Sequence, residues 1–162
     1  MNWDAFGTIA EIVAAAGVII TLIYVALQVK DSARASRSAA VTDATTTMHA
    51  FYHEIGSNRQ VSELWLRGMT DPESLDKPDA LQFVMLTHSA FLGFQRAFFL
   101  AHEGTLDSGL RDSIGTAVVA VKDLPGLDFY WRQRKDFFQP EFIDWVEGLR
   151  TREPLAELKI YQ

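Results

Sequence analysis

Ile12-Val13-Ala14-Ala15-Ala16-Gly17-Val18-Ile19-Ile20-Thr21-Leu22-Ile23-Tyr24-Val25-Ala26-Leu27 contains no charged residue, and extending it to Ala5 and Val29 adds only Thr8, Glu11 and Gln28 as polar positions. Coiled as a helix at about 1.5 Å per residue, the longer run covers about 37 Å, more than the roughly 30 Å of a bilayer's hydrocarbon core. The stretch is therefore read as a membrane-spanning helix. A buried core helix is the competing reading, but such helices seldom run this long without a charge. The opening Met1-Asn2-Trp3-Asp4 lacks the basic residues of a secretory signal, so the helix is expected to stay on the protein. Lys30, Arg34 and Arg37 follow the run and no base precedes it, which places the amino terminus outside and the remainder in the cytoplasm.

A second pattern lies within that helix. Gly7, Ala10, Ala14, Gly17, Thr21, Tyr24 and Gln28 alternate at spacings of three and four, so they share one stripe, and most are small. In lipid, small residues let two helices approach closely and gain packing energy. Small residues are also common in spanning helices without any partner. The partners expected are membrane lipid and, through this stripe, a second copy or another membrane protein. Glu11 sits about one turn inside the boundary, where a carboxylate is either paired or close to the interface.

Beyond Arg37 the chain reads as helix throughout. Ser32 to Ser57 has no proline, and its only glycine is Gly56, so the first helix is expected to continue toward an apolar face formed by Met48, Phe51, Tyr52 and Ile55. A short helix from Asn58 to Met69 is broken by Asp71-Pro72-Glu73. Asp76 caps a central helix that is apolar on nearly every face from Ala80 to His102 and closes at Gly104. Asp107 caps a helix from Ser108 to Leu124, stopped by Pro125-Gly126, and two shorter helices follow, Leu127 to Phe138 and Pro140 to Arg150. The fold class is all-α: one amino-terminal transmembrane helix continuing into a small cytoplasmic helical bundle. Residues 1–37 are assigned to the anchor with its basic flank, and residues 38–162 to the helical domain.

Composition narrows the function. The chain has 162 residues, a formal charge of −6 and eleven phenylalanines. Three bases and three acids (Asp4, Glu11, Asp31) balance in the first 37 residues, so the excess acid lies in the helical domain. That balance speaks against nucleic-acid binding. The absence of cysteine removes disulfides, thiolate catalysis and thiolate metal sites.

Few residues invite chemistry. His49 and His53 are spaced i, i+4, a spacing that can hold a metal from adjacent turns, yet no glutamate directly follows His49 as in the familiar zinc motif. A surface pair is the simpler reading. His88, Gln95 and His102 recur every seven residues among Phe91, Phe98 and Phe99, so His88, Phe91, Gln95 and Phe98 are candidate linings of a ligand pocket. Arg132, Arg134 and Lys135 lie beside Phe129, Tyr130, Trp131, Phe137 and Phe138. Such a surface can rest on anionic lipid, or its rings can pack inward and leave the bases solvated. No phosphate loop, dinucleotide fingerprint or serine-nucleophile elbow is present, and neither a catalytic residue nor a cofactor is assigned.

Three stretches resemble a family of bacterial single-span membrane proteins. They are Ala10-Glu11-Ile12 through Thr21 to Lys30, then Phe98-Phe99 with Glu103-Gly104-Thr105-Leu106-Asp107, and finally Pro125-Gly126 through Trp131 to Phe138-Gln139-Pro140-Glu141-Phe142. The resemblance implies a bacterial inner-membrane location and makes Glu11 part of the anchor pattern. It implies no activity. The functional expectation is a non-enzymatic, membrane-anchored interaction protein or accessory subunit. The alternatives are a tethered sensor for a small apolar ligand and a metal-dependent enzyme using His49 and His53.

Overall fold

The computed structural model describes the backbone of residues 3–153, together with the side chains of Glu11 and of residues 14–153. Among these there are six α-helices and no strand: α1 (Trp3–Ser57), α2 (Arg59–Thr70), α3 (Lys77–His102), α4 (Ser108–Val121), α5 (Pro125–Arg134) and α6 (Pro140–Arg150). Single 3-10 turns occupy Pro72–Ser74 and Lys135–Phe137. The chain divides into two units, Met1–Ala39 and Ala40–Gln162, two residues later than the boundary the sequence suggests.

The first unit is the amino-terminal part of α1. From Ala14 its apolar run has a window of mean hydropathy 1.5 with no residue buried, and the helix is long and apolar enough to cross a membrane. Its side chains point outward on every face: Val18, Ile20, Leu22, Ile23, Tyr24 and Leu27 are all more than half exposed. Helix α3 meets the same criteria of length and composition, but it is a core helix of the second unit, with Phe83, Val84, Ala90, Phe91, Phe94 and Ala97 buried.

The second unit takes its start from α1 beyond Ala39. Ala40 and Ala44 are buried in its core, and Asp43 lies 2.6 Å from Arg96 of α3. Gly93 lets α3 come close here, since a Cβ at that position would sit 2.6 Å from Cγ2 of Thr47. The capping residues read from the sequence take their places: the Asp76 carboxylate accepts from the Asp79 amide, the Asp107 carboxylate from Gly109 and Leu110, and Gly104 adopts φ +72 after α3. The Asn58 side chain caps α2 in the same way.

Three boundaries differ most from the sequence reading, one of them the end of α5, which falls at Arg134 and gives way to the 3-10 turn Lys135–Phe137 instead of running to Phe138. Helix α4 ends at Val121, three residues before Leu124, and Pro125 starts α5 where the sequence reading begins it at Leu127. A proline in the first turn gives up only an amide that no helical carbonyl would have accepted, so the residue that stops one helix also begins the next.

Rings fill the centre. Phe91 of α3 meets Tyr130 at 4.9 Å and Trp131 at 5.4 Å; Trp131 stacks on Phe138 at 5.9 Å, and Phe138 reaches Phe142 of α6 at 5.3 Å. The indole N–H of Trp131 donates to Glu147 at 2.6 Å, so the largest buried ring leaves no unsatisfied polar atom. Helices α2 and α5 pack backbone to backbone: a Cβ on Gly126 would lie 2.1 Å from the Gly68 carbonyl oxygen and 2.5 Å from Cα of Met69.

That contact generates a stability test. Gly126→Ala is expected to lower stability by about 3 kcal/mol, the upper part of the overpacking range, because the clash is with main chain that cannot swing aside. Gly148→Ala on α6, where a Cβ meets nothing within 4 Å, is expected to raise stability by up to about 1 kcal/mol. Thermal melts of the purified chain followed by circular dichroism check both.

Candidate functional site

The anchor stripe lies partly outside the described residues, since the side chains of Gly7 and Ala10 are not among them. Glu11, Ala14, Gly17, Thr21, Tyr24 and Gln28 are all exposed on α1, and a Cβ on Gly17 would meet nothing within 4 Å. The Thr21 hydroxyl is satisfied within the helix, donating to the Gly17 carbonyl at 2.9 Å. Between Ala14 and Thr21 the stripe is thus a smooth, open strip, flanked by the polar side chains of Glu11, Tyr24 and Gln28.

Of the polar heptad on α3, His88 and Gln95 are engaged by α5 and by the residue that precedes α6. Nδ1 of His88 is 3.0 Å from the Tyr130 hydroxyl, and its ring packs on Phe138 at 5.2 Å. Gln95 accepts a hydrogen bond from the Gln139 amide at 3.1 Å, just before α6 begins. Phe98 packs on Phe142 and Trp145, and His102 is exposed. His88, Gln95 and Phe98 fasten α3 to α5 and α6, and Phe91 borders the cavity described below.

Burial, more than the nearby Arg134 guanidinium, lowers the His88 pKa below its ordinary value, and burial pushes the Tyr130 phenol far up. The phenol therefore keeps its proton, and the tautomer of His88 sets which of the two groups donates in this bond.

The remaining candidates are surface features. His49 and His53 are exposed, with rings stacked 5.8 Å apart, and no group of three or more His, Asp or Glu suited to a metal occurs among the described residues. In the basic segment Tyr130, Trp131 and Phe138 are buried. Phe137 stays 67% exposed, with the Arg134 guanidinium 5.0 Å from its ring centre.

The cavity that does exist lies between α1, α2, α3 and α4 and holds about 500 Å³. Phe51, Trp65, Phe91 and Phe94 line it with rings, and Gly56, Ala90, Ala117 and Ala120 contribute little bulk, which leaves the space open. No charged side chain lines it. Its two aliphatic hydroxyls are already engaged, Thr87 donating to the Phe83 carbonyl at 2.8 Å and Ser62 to that of Ile55. A second hollow of about 430 Å³ runs along α1 and α4 and shares Tyr52, Ala117 and Ala120 with the first. The signal in the sequence was the run Gly115-Thr116-Ala117-Val118-Val119-Ala120-Val121, whose small side chains face a phenylalanine-rich helix.

Compared with known protein families, with curated proteins and with solved structures, the chain matches none.

The His88–Tyr130 pair makes stability depend on pH at both ends. The unfolded chain protonates its histidine near 6.5, while the folded one resists until lower pH. The contribution is thus complete above about pH 6.5 and declines as pH falls through that value. On the alkaline side the unfolded tyrosine ionises near 10 while folded Tyr130 does not, so stability falls as pH rises past about 10. In melts from pH 5 to 11, His88→Asn should flatten the acid limb relative to the parent chain, and Tyr130→Phe the alkaline limb.

Proposed function

We propose that this is a membrane-anchored, non-enzymatic protein whose amino-terminal helix both spans the bilayer and associates with a second spanning helix, its own copy or another subunit. One observation carries the reading: from Ala14 onward the apolar stretch of α1 exposes its side chains on every face, with Val18, Ile20 and Leu22 at 59, 66 and 62%. In water that surface is unfavourable at roughly 25 cal/mol per Å², whereas in hydrocarbon it costs nothing. The helix also meets the strictest requirement of a spanning segment, that main-chain hydrogen bonds close within it.

Association draws support from the stripe of Ala14, Gly17 and Thr21. Exposure there is of small side chains, and the Thr21–Gly17 bond removes the one hydroxyl that close approach would otherwise strand. The basic residues Lys30, Arg34 and Arg37 favour an outside amino terminus with residues 40–153 in the cytoplasm. The resemblance to bacterial single-span proteins points to the inner membrane.

Three measurements test the proposal. Alkaline carbonate extraction should leave the chain in the membrane pellet. With no native cysteine to interfere, Asn2→Cys should react with an impermeant maleimide on intact cells and Ser57→Cys should not; the reverse labelling would invert the topology. Gly17→Leu and Ala14→Leu should weaken self-association or partner capture by about tenfold, equivalent to about 1.4 kcal/mol. Unchanged assembly in both variants would remove the stripe from the account while leaving the anchor standing.

A further inference from the structure

Helices α1 to α4 border an apolar hollow that this chain does not fill and that opens to solvent beside the exposed Tyr52 and Leu66. Protein interiors hold few voids larger than a water molecule, and an apolar void of about 150 Å³ stays dry and takes up benzene. The hollow here holds about 500 Å³. It offers water little, since Ser62 and Thr87 donate their hydroxyl hydrogens to the carbonyls of Ile55 and Phe83. For the same reason no buried group is available to hold a charged or strongly polar ligand.

The shape narrows the class further. Because the second hollow shares Tyr52, Ala117 and Ala120, apolar lining continues along α1 from Thr45 to Gly56, about 16 Å of helix. A hollow of about 500 Å³ falls within the roughly 300–1,000 Å³ typical of small-ligand sites. A single hydrocarbon chain is slender enough to fit it.

We propose that the hollow binds the acyl chain of a single-chain lipid, a fatty acid or monoacyl lipid, with the tail against Trp65 and Phe91 and the head group left in solvent. The proposal rests on the anchoring reading only for the supply of ligand, since a protein held at a bilayer meets such lipids continuously. The chemistry of the hollow stands without it.

The test uses the full chain in nanodiscs of unbrominated phosphatidylcholine, with Trp3→Phe removing the indole of the anchor. Stearic acid brominated at mid-chain is the probe, and Trp65 fluorescence is the readout. Expected are saturable quenching, its disappearance in Trp65→Phe while emission from Trp131 and Trp145 persists, and binding about tenfold weaker in the cavity-filling variants Ala117→Phe and Ala120→Leu at unchanged helicity. Native mass spectrometry of gently extracted protein should show a monoacyl-lipid adduct that the filled variants lack.

Quenching that does not saturate, or that persists equally in both filled variants, overturns the proposal. So does quenching obtained only with brominated phosphatidylcholine, or a polypeptide found seated in the hollow. A chain that leaves the membrane fraction on carbonate extraction but still shows saturable, variant-sensitive quenching supports this proposal and overturns the anchoring one alone.

Discussion

The second unit is organised around a place where two backbones touch. Gly126 of α5 lies against the Gly68 carbonyl of α2 with no side chain between them. With α5 held that close, Leu127, Tyr130 and Trp131 are carried into the centre, where all three are at most 2% exposed. Tyr130 and Trp131 then meet Phe91, and through Phe138 the ring series reaches α6. A methyl group at Gly126 would push α5 outward and loosen these contacts, whereas one at Gly68 would run into the Phe83 ring of α3.

Phe91 joins this solid side of the unit to its open side. One part of its surroundings is the ring series of α5 and α6; the other is the hollow bounded by α1, α2 and α4. The contrast is one of side-chain volume. Toward α5 and α6 the neighbours are tyrosine, tryptophan and phenylalanine, whereas α4 offers Ala117, Val118 and Ala120. The same central helix is close-packed on one side and under-filled on the other.

Much of the fold was legible because its signals are local. Asp76, Asp107 and Gly104 mark helix ends through bonds to residues two to five positions away, and those ends fall where the sequence places them. Pro125 was half legible: as a stop for α4 it is unambiguous, but its role as the first residue of α5 depends on only three residues, Lys122 to Leu124, separating the two helices. The candidate pocket shows where locality fails. A seven-residue period places His88, Gln95 and Phe98 on one face of α3 without saying which neighbour covers it, and the cover turned out to be Tyr130, Gln139 and Phe142. The hollow is harder still to read, since it arises from bulk that is missing at once from Gly56, Ala90 and Ala117, positions far apart in the chain.

An unfilled interior also changes how the molecule answers to compression. Unfolding under hydrostatic pressure is driven by the volume of internal voids that water can invade once the chain opens, and the decrease scales with those voids. A unit carrying about 500 Å³ of poorly wetted apolar space is consequently softer to pressure than one packed throughout. Whatever fills the space stiffens it, and the mechanical state of the domain then becomes a report on its occupancy.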